Sequence, residues 1–264
     1  MSHKKVTMDL KEQKKIKRYF SLIFFLLIVG LAMWYVDFNF IELAKSIPVF
    51  LGFIFTDFLP PNFSDVKKYV GPVLDTIFVA VIATCVSSFL AMILAIFMAS
   101  NTTPHPVFRI VCRGIVSFLR SIPFLLWAAL LVVVFGVGVL PGLLGLILYG
   151  TAFLARVYAE SVEEIGSECT EAIEAVGATY VHQLKHAIIP QFIPSFFSWT
   201  LFMFEINLRG SAILGIVGAG GIGSLIKGTM DLFQYSKTST VIMILITMIL
   251  VVEYITTRIR ERII

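Results

Sequence analysis

Residues 215–226 read GIVGAGGIGSLI, and the Gly218-x-Gly220-x-x-Gly223 inside them has the spacing of a dinucleotide-binding loop. That loop works only after a strand, at the start of a helix, with an acidic residue about 20 positions further on. None of this context is present. The preceding residues 190–208 form an apolar run, a second run follows at 239–257, and the expected acidic position falls in VIMILI. The nucleotide reading therefore falls. Irregular backbone at membrane depth is tolerated where it is buried in protein or lines a cavity, and glycines also let helices approach closely. The stretch predicts a short, broken helix between two membrane spans, a reading compatible with close packing.

The rest of the chain agrees. Of 264 residues 58% are hydrophobic and 14% charged, with 24 Phe and a mean hydropathy of +0.92. A soluble domain carries about 25% charged residues. Runs near the roughly 20 residues of a spanning helix occur at 19–36, 72–99, 115–135, 142–159, 190–208 and 239–257. They predict an all-α membrane protein with six transmembrane helices. Residues 1–18 form a basic cytoplasmic segment, 19–69 the first span and an extracytoplasmic interfacial segment broken by Pro48, Pro60 and Pro61, 70–257 the core domain, and 258–264 a cytoplasmic tail. The apolar run after HKKVTMDLKEQKKIKR is long and lacks a small-residue cleavage site, so it reads as a retained span. With both termini in the cytoplasm, 15 Lys and Arg fall inside and 6, Arg209 among them, outside, as the positive-inside rule requires. The net charge of +4 forms no continuous basic patch, which argues against a nucleic-acid partner. Cys85, Cys112 and Cys169 have no paired spacing and read as free thiols.

Two polar stretches stand out. Glu160, Glu163, Glu164, Glu168, Glu171 and Glu174 in the loop 156–190 share one helical face about 140° wide. That face reads as solvated, or as a docking surface for the stripe of Arg109, Arg113 and Arg120. His182 and His186 lie in the same loop without a third metal ligand. Glu205, Asn207 and Arg209, near the end of the fifth span, are costly within a membrane and mark a functional site. An i,i+4 ion pair or a snorkelling arginine would also explain them.

The loop sequence EAIEAVGATYVHQLKHAIIP, residues 171–190, resembles the EAA motif of permease subunits of bacterial ABC importers. Glu171, Ala172, Gly177 and Pro190 match at the family's spacing, while Ile173, Ala187 and Ile189 depart from it conservatively. FEINLRGSAILGIVGAGGIG and LRSIPFLLWAALLVVVFG further resemble the phosphonate-type members, through Phe204, Glu205, Asn207 and Arg209. The resemblance implies a type I importer permease fold with a cytoplasmic coupling-helix loop. It also implies ATP-binding ABC subunits as partners, a second permease chain making a homo- or heterodimer, and an extracytoplasmic substrate-binding protein.

ATP hydrolysis is expected in the partner, since the chain has no phosphate-binding P-loop of its own; neither cofactor nor metal is expected. Glu205, Asn207, Arg209, Gly218, Gly220 and Gly221 are candidates for a translocation path in the cell membrane, with Arg209 and the turn's N–H groups attracting an anion. The implied cargo is a phosphonate or similar phosphorus oxyanion; methionine, glycine betaine and phosphite are the alternatives. A membrane enzyme would need paired catalytic groups in the spans, and a scaffold would not explain the Glu171–Gly177–Pro190 spacing.

Overall fold

A computed structural model describes residues 10–165, 175 and 177–263. Every regular element among them is helical. The chain divides between Asp57 and Phe58 into two compact units.

The first unit holds α1 (Leu10–Tyr35) and α2 (Phe40–Phe53). Asn39 starts α2 by accepting hydrogen bonds from the Ile41 and Glu42 amides at 2.9 and 3.4 Å, satisfying two of the donors a helix start leaves free. Pro48 lies inside α2 without ending it. It removes one i→i−4 hydrogen bond, at a cost of about 3 kcal/mol in a helix interior. Large apolar side chains from Phe20 to Tyr35 are exposed, forming a surface for lipid.

The second unit holds α3 (Val66–Met98), α4 (Pro106–Ser121), α5 (Phe124–Phe135), α6 (Val139–Glu163), α7 (Tyr180–Gln183), α8 (Ile189–Leu214), α9 (Gly221–Asp231) and α10 (Tyr235–Ile263). π-turns at Leu184–Ile188 and Gly215–Ala219 flank α8. Five helical stretches are long and apolar enough to cross a membrane: 17–35, 66–98, 139–163, 180–219 and 235–263. A sixth arises if α4 and α5 count as one broken span. The straight span expected at 115–135 is thus corrected to two helices meeting at 88°. Pro123 is the cause, because a residue before proline is pushed out of the helical region, and Ile122 sits at φ −104°, ψ 120°. The 12 residues of α5 cover roughly 18 Å, short of a hydrocarbon core of about 30 Å.

Small residues let α3, α6 and α8 pack closely. Ala80, Ala83, Ala91 and Ala95 on α3 and Ala152, Ala155 and Ala159 on α6 are buried. Where no hydrophobic effect drives helices together, such contact and interhelical hydrogen bonds hold a bundle, each bond worth about 0.6–2 kcal/mol. Ser88, Tyr158 and Thr200 form a closed hydroxyl triangle at 2.9, 3.0 and 2.6 Å, and Ser87 donates to the Ile147 carbonyl at 3.2 Å.

Each end of the second unit is tied by charges. At one, Glu163 accepts from the Ser100 amide (2.6 Å) and from Arg113 (2.7 Å), with Arg109 at 3.5 Å. Arg113 also donates to the Met98 carbonyl at the C-terminus of α3. Part of the expected Glu–Arg contact is therefore formed, within one chain. Glu160 pairs with Arg156 instead, Arg120 makes no ion pair among the described residues, and Glu168, Glu171 and Glu174 lie outside them. At the other end Asp65 pairs with Lys68 (2.7 Å) and Lys237 (3.2 Å), while Asn62 exchanges hydrogen bonds with Ser236 and Thr240. Residues 59–65, grouped with the first span from sequence, are thereby held to the second unit.

Candidate functional site

The helix begun at Ile189 does not stop at 208, where the apolar run ends. It continues to Leu214 and widens into the π-turn 215–219. The chain then reverses: Gly218, Gly220 and Gly221 have φ of +101°, +80° and +67°, values that side chains other than glycine rarely adopt. Two further glycines make the return possible. A Cβ at Gly223 would lie 1.8 Å from the Ala212 carbonyl oxygen, and one at Gly215 would lie 2.4 Å from that of Gly220. The glycine cluster thus serves both predicted uses, a broken helix and close packing.

The turn is seated on α3. Thr76 Oγ1 donates to the Pro72 carbonyl and accepts from the Ile222 amide, each at 2.9 Å, capping α9 from another helix. Ser211 donates to the Thr76 carbonyl at 3.2 Å. Between these elements lies a cavity of about 230 Å³ whose polar lining includes Asp75, Thr76, Ser211, Gly220 and Gly221. Asp75 is exposed and makes no ion pair among the described residues. It was missed from sequence, although it is the lone charged residue in the run 72–99.

The three polar residues of FEINLR separate. Asn207 is fully buried and donates from Nδ2 to Thr84 Oγ1 at 2.9 Å, with its Oδ1 unpartnered among the described residues. Its place is between α8 and α3. Glu205, 9% exposed, turns toward α10. Its Oε1 accepts from Thr256 Oγ1 at 2.6 Å and from Arg260 Nη2 at 3.0 Å. Arg209 Nη2 lies 3.9 Å from Oε2, and its Nε donates to the Glu205 carbonyl at 3.3 Å. The Arg209 side chain is about half exposed. Arg260 and Thr256 were not identified from sequence, because Arg260 counts as cytoplasmic tail when the span is ended at 257.

In the loop, Gly177 has φ +81° and nothing within 4 Å of a Cβ there among the described residues, and Pro190 stands at the second residue of α8, directly after the π-turn 184–188. Glu171 and Ala172 lie outside the described residues, as does Cys169; Cys85 and Cys112 are free thiols. The rings of His182 and His186 stack at 6.0 Å, and His182 Nδ1 is 2.8 Å from Thr179 Oγ1.

Residues 91–264, which take in the last two turns of α3 and everything after it, match the model of the binding-protein-dependent transport system inner membrane component family. The chain belongs to this family. The permease is 32% identical over 227 residues to the phosphite transport system permease protein PtxC of Stutzerimonas stutzeri, covering 86% of this chain and 82% of that one. It is 34% identical over 203 residues to the phosphate-import permease protein PhnE of Mycolicibacterium smegmatis, covering 77% of this chain but 38% of that longer protein. In fold, it resembles a solved structure of the MetNI methionine ABC transporter in inward-facing conformations. The TM-score is 0.68 at 19% identity, over 77% of this chain and 99% of that one. The permease thus has an importer-permease fold, is an ABC importer permease and a multi-pass membrane component, and its relatives are transport components, not enzymes.

Proposed function

We propose that the permease forms the path by which a phosphonate, or a similar small phosphorus oxyanion, enters the cell. It works as a dimer above two separate ATPase subunits, receives cargo from an extracytoplasmic binding protein, and keeps both termini in the cytoplasm. The observation that carries the cargo is Arg209. It is a half-exposed arginine inside the continuous helical stretch 180–219, in a chain 32–34% identical to permeases named for phosphite and phosphate. An intramembrane arginine marks an anion route, and binding weak enough to release is what conduction needs. Arg209, Gly220 and Gly221 contribute to the path on this reading, while Glu205 and Asn207 support it from the helix interfaces.

Drive comes from the loop. Glu171, Ala172, Gly177 and Pro190 form the coupling element, which passes nucleotide-driven closure of the ATPases into α8 and so into rocking of the two permease chains.

Uptake of labelled methylphosphonate and phosphite tests the cargo, in cells with and without the chain and with phosphate, methionine and glycine betaine as competitors. Uptake that depends on the chain and yields only to phosphorus oxyanions is the expected result. Competition by methionine or betaine would keep the permease and replace its cargo. Arg209→Ala is expected to cut uptake at least ten-fold; wild-type uptake in that variant would remove Arg209 from the path.

A further inference from the structure

The Glu205 cluster does not balance its charge. One carboxylate faces two guanidinium groups, Arg260 at 3.0 Å and Arg209 at 3.9 Å, which leaves one positive charge over. Glu253, two turns before Arg260 on α10, makes no ion pair among the described residues. The carboxylate itself is well satisfied, since Thr256 and Arg260 both donate to Oε1. The arginines are not. Among the described residues Arg209 donates one hydrogen bond, from Nε to the Glu205 carbonyl, and the buried Arg260 Nε has no partner. Surplus positive charge and a buried guanidinium N–H without a partner carry a cost that an anion would remove. The planar fork of donors on each arginine suits a tetrahedral oxyanion.

We propose that Arg209 and Arg260 together form an oxyanion site, with Glu205 setting its strength by cancelling one of the two positive charges. The site rests on the phosphorus-oxyanion reading above and extends it to α10. The class of ligand it takes is a small tetrahedral oxyanion carrying one net negative charge, which neutralises the cluster. Glu205 is then not a ligand but a brake on affinity: without it the site would carry two charges and hold its cargo too firmly. Thr256 is a positioning residue that keeps the carboxylate turned toward Arg260.

A simple helix staple, in which Glu205 and Arg260 merely pin α8 to α10, predicts a different response to substitution. The test is equilibrium binding of radiolabelled phosphite to the permease–ATPase complex in lipid nanodiscs, without the binding protein, alongside uptake in proteoliposomes that contain it. Glu205→Gln is expected to lower the phosphite Kd roughly ten-fold and to slow turnover, and Arg260→Gln to raise Kd roughly ten-fold, because a unit charge is added or removed within a few ångströms of the ligand. The double variant should return toward the wild-type Kd. Should Arg260→Gln fail to assemble, Arg260→Lys keeps the charge and loses the fork, with a smaller rise in Kd expected. Kd values unchanged or moving in the same direction in Glu205→Gln and the Arg260 variant would overturn the site while leaving phosphite uptake intact. So would uptake by the wild type with no binding to the complex. If the wild type takes up no phosphorus oxyanion at all, the cargo reading fails first and the site falls with it.

Discussion

Gly223 and Gly228 lie in the same short helix, α9, and chain position alone does not tell them apart. A Cβ at Gly223 meets the Ala212 carbonyl at 1.8 Å, a backbone atom that cannot rotate away, whereas a Cβ at Gly228 meets nothing within 4 Å. Gly223→Ala should therefore force α9 off α8 at a cost of about 3 kcal/mol, near the top of the usual overpacking range. Gly228→Ala should be neutral or stabilise by up to about 1 kcal/mol through helix propensity. Thermal melts of the purified complex, with uptake measured in parallel, distinguish the two; equal effects would mean that the α8–α9 contact is not what the glycines serve. The need for glycine here was legible in the sequence, because no soluble fold explains such a cluster between two apolar runs. The partners were not. Thr76, which caps α9, lies 146 positions from Ile222, and no local pattern announces a pairing of that length. Asp75 was legible in principle, as a lone carboxylate in an apolar run, while Arg260 was hidden by where a hydropathy window ends.

Helix ends are where charged residues fix the arrangement of elements. Glu163 joins α6 to α4 and to the loop after α3, and its side chain is 24% exposed. Glu163→Gln keeps the shape and removes the charge that Arg113 faces. It should destabilise the complex by about 1–3 kcal/mol, the cost of leaving a part-buried charge without its partner. Arg113→Gln combined with it should cost less than the sum of the two single variants, and strict additivity in that cycle would show that the pair is not coupled. The opposite end responds to pH. The hydrogen bond from Lys68, and then that from Lys237, hold the Asp65 carboxyl below its ordinary value of 3.8. The unfolded chain thus takes up a proton first, so the contribution is complete above that value and lost as pH falls through the lower folded one. Melting temperatures between pH 7 and 3 should fall less steeply below pH 4.5 for Asp65→Asn than for the wild type; parallel profiles would exclude Asp65. The break at Ile122–Pro123 shows why element boundaries were the weak part of the sequence reading. Apolarity continues straight through LRSIPFLLWAALLVVVFG while the backbone turns, and hydropathy is blind to a single φ/ψ.

At the scale of the whole molecule, the proposed function makes the chain one part of a machine whose energy source lies in separate ATPase subunits. Its exposed apolar faces suit lipid or a second chain, and on the same proposal its polar loop meets the ATPase. The proposed coupling turns on Gly177, whose φ is +81° and around whose Cα nothing lies within 4 Å of a Cβ added there among the described residues. On that geometry backbone strain decides what a substitution does there. Gly177→Asn, which tolerates left-handed backbone better than most residues, should retain most of the coupling. Gly177→Asp adds a charge at the contact proposed for the ATPase, and Gly177→Val adds β-branching that this conformation disfavours; both should lose it. The measurement is co-purification of the ATPase with tagged permease, followed by ATP hydrolysis with and without loaded binding protein. Loss of the ATPase in the Asp and Val variants, with Asn near wild type and all three inserted equally in the membrane, is the expected order. ATPase retention in all three would place the coupling contact elsewhere. Retention with uncoupled hydrolysis would separate docking from transmission, and would assign Gly177 to the step by which the loop moves α8.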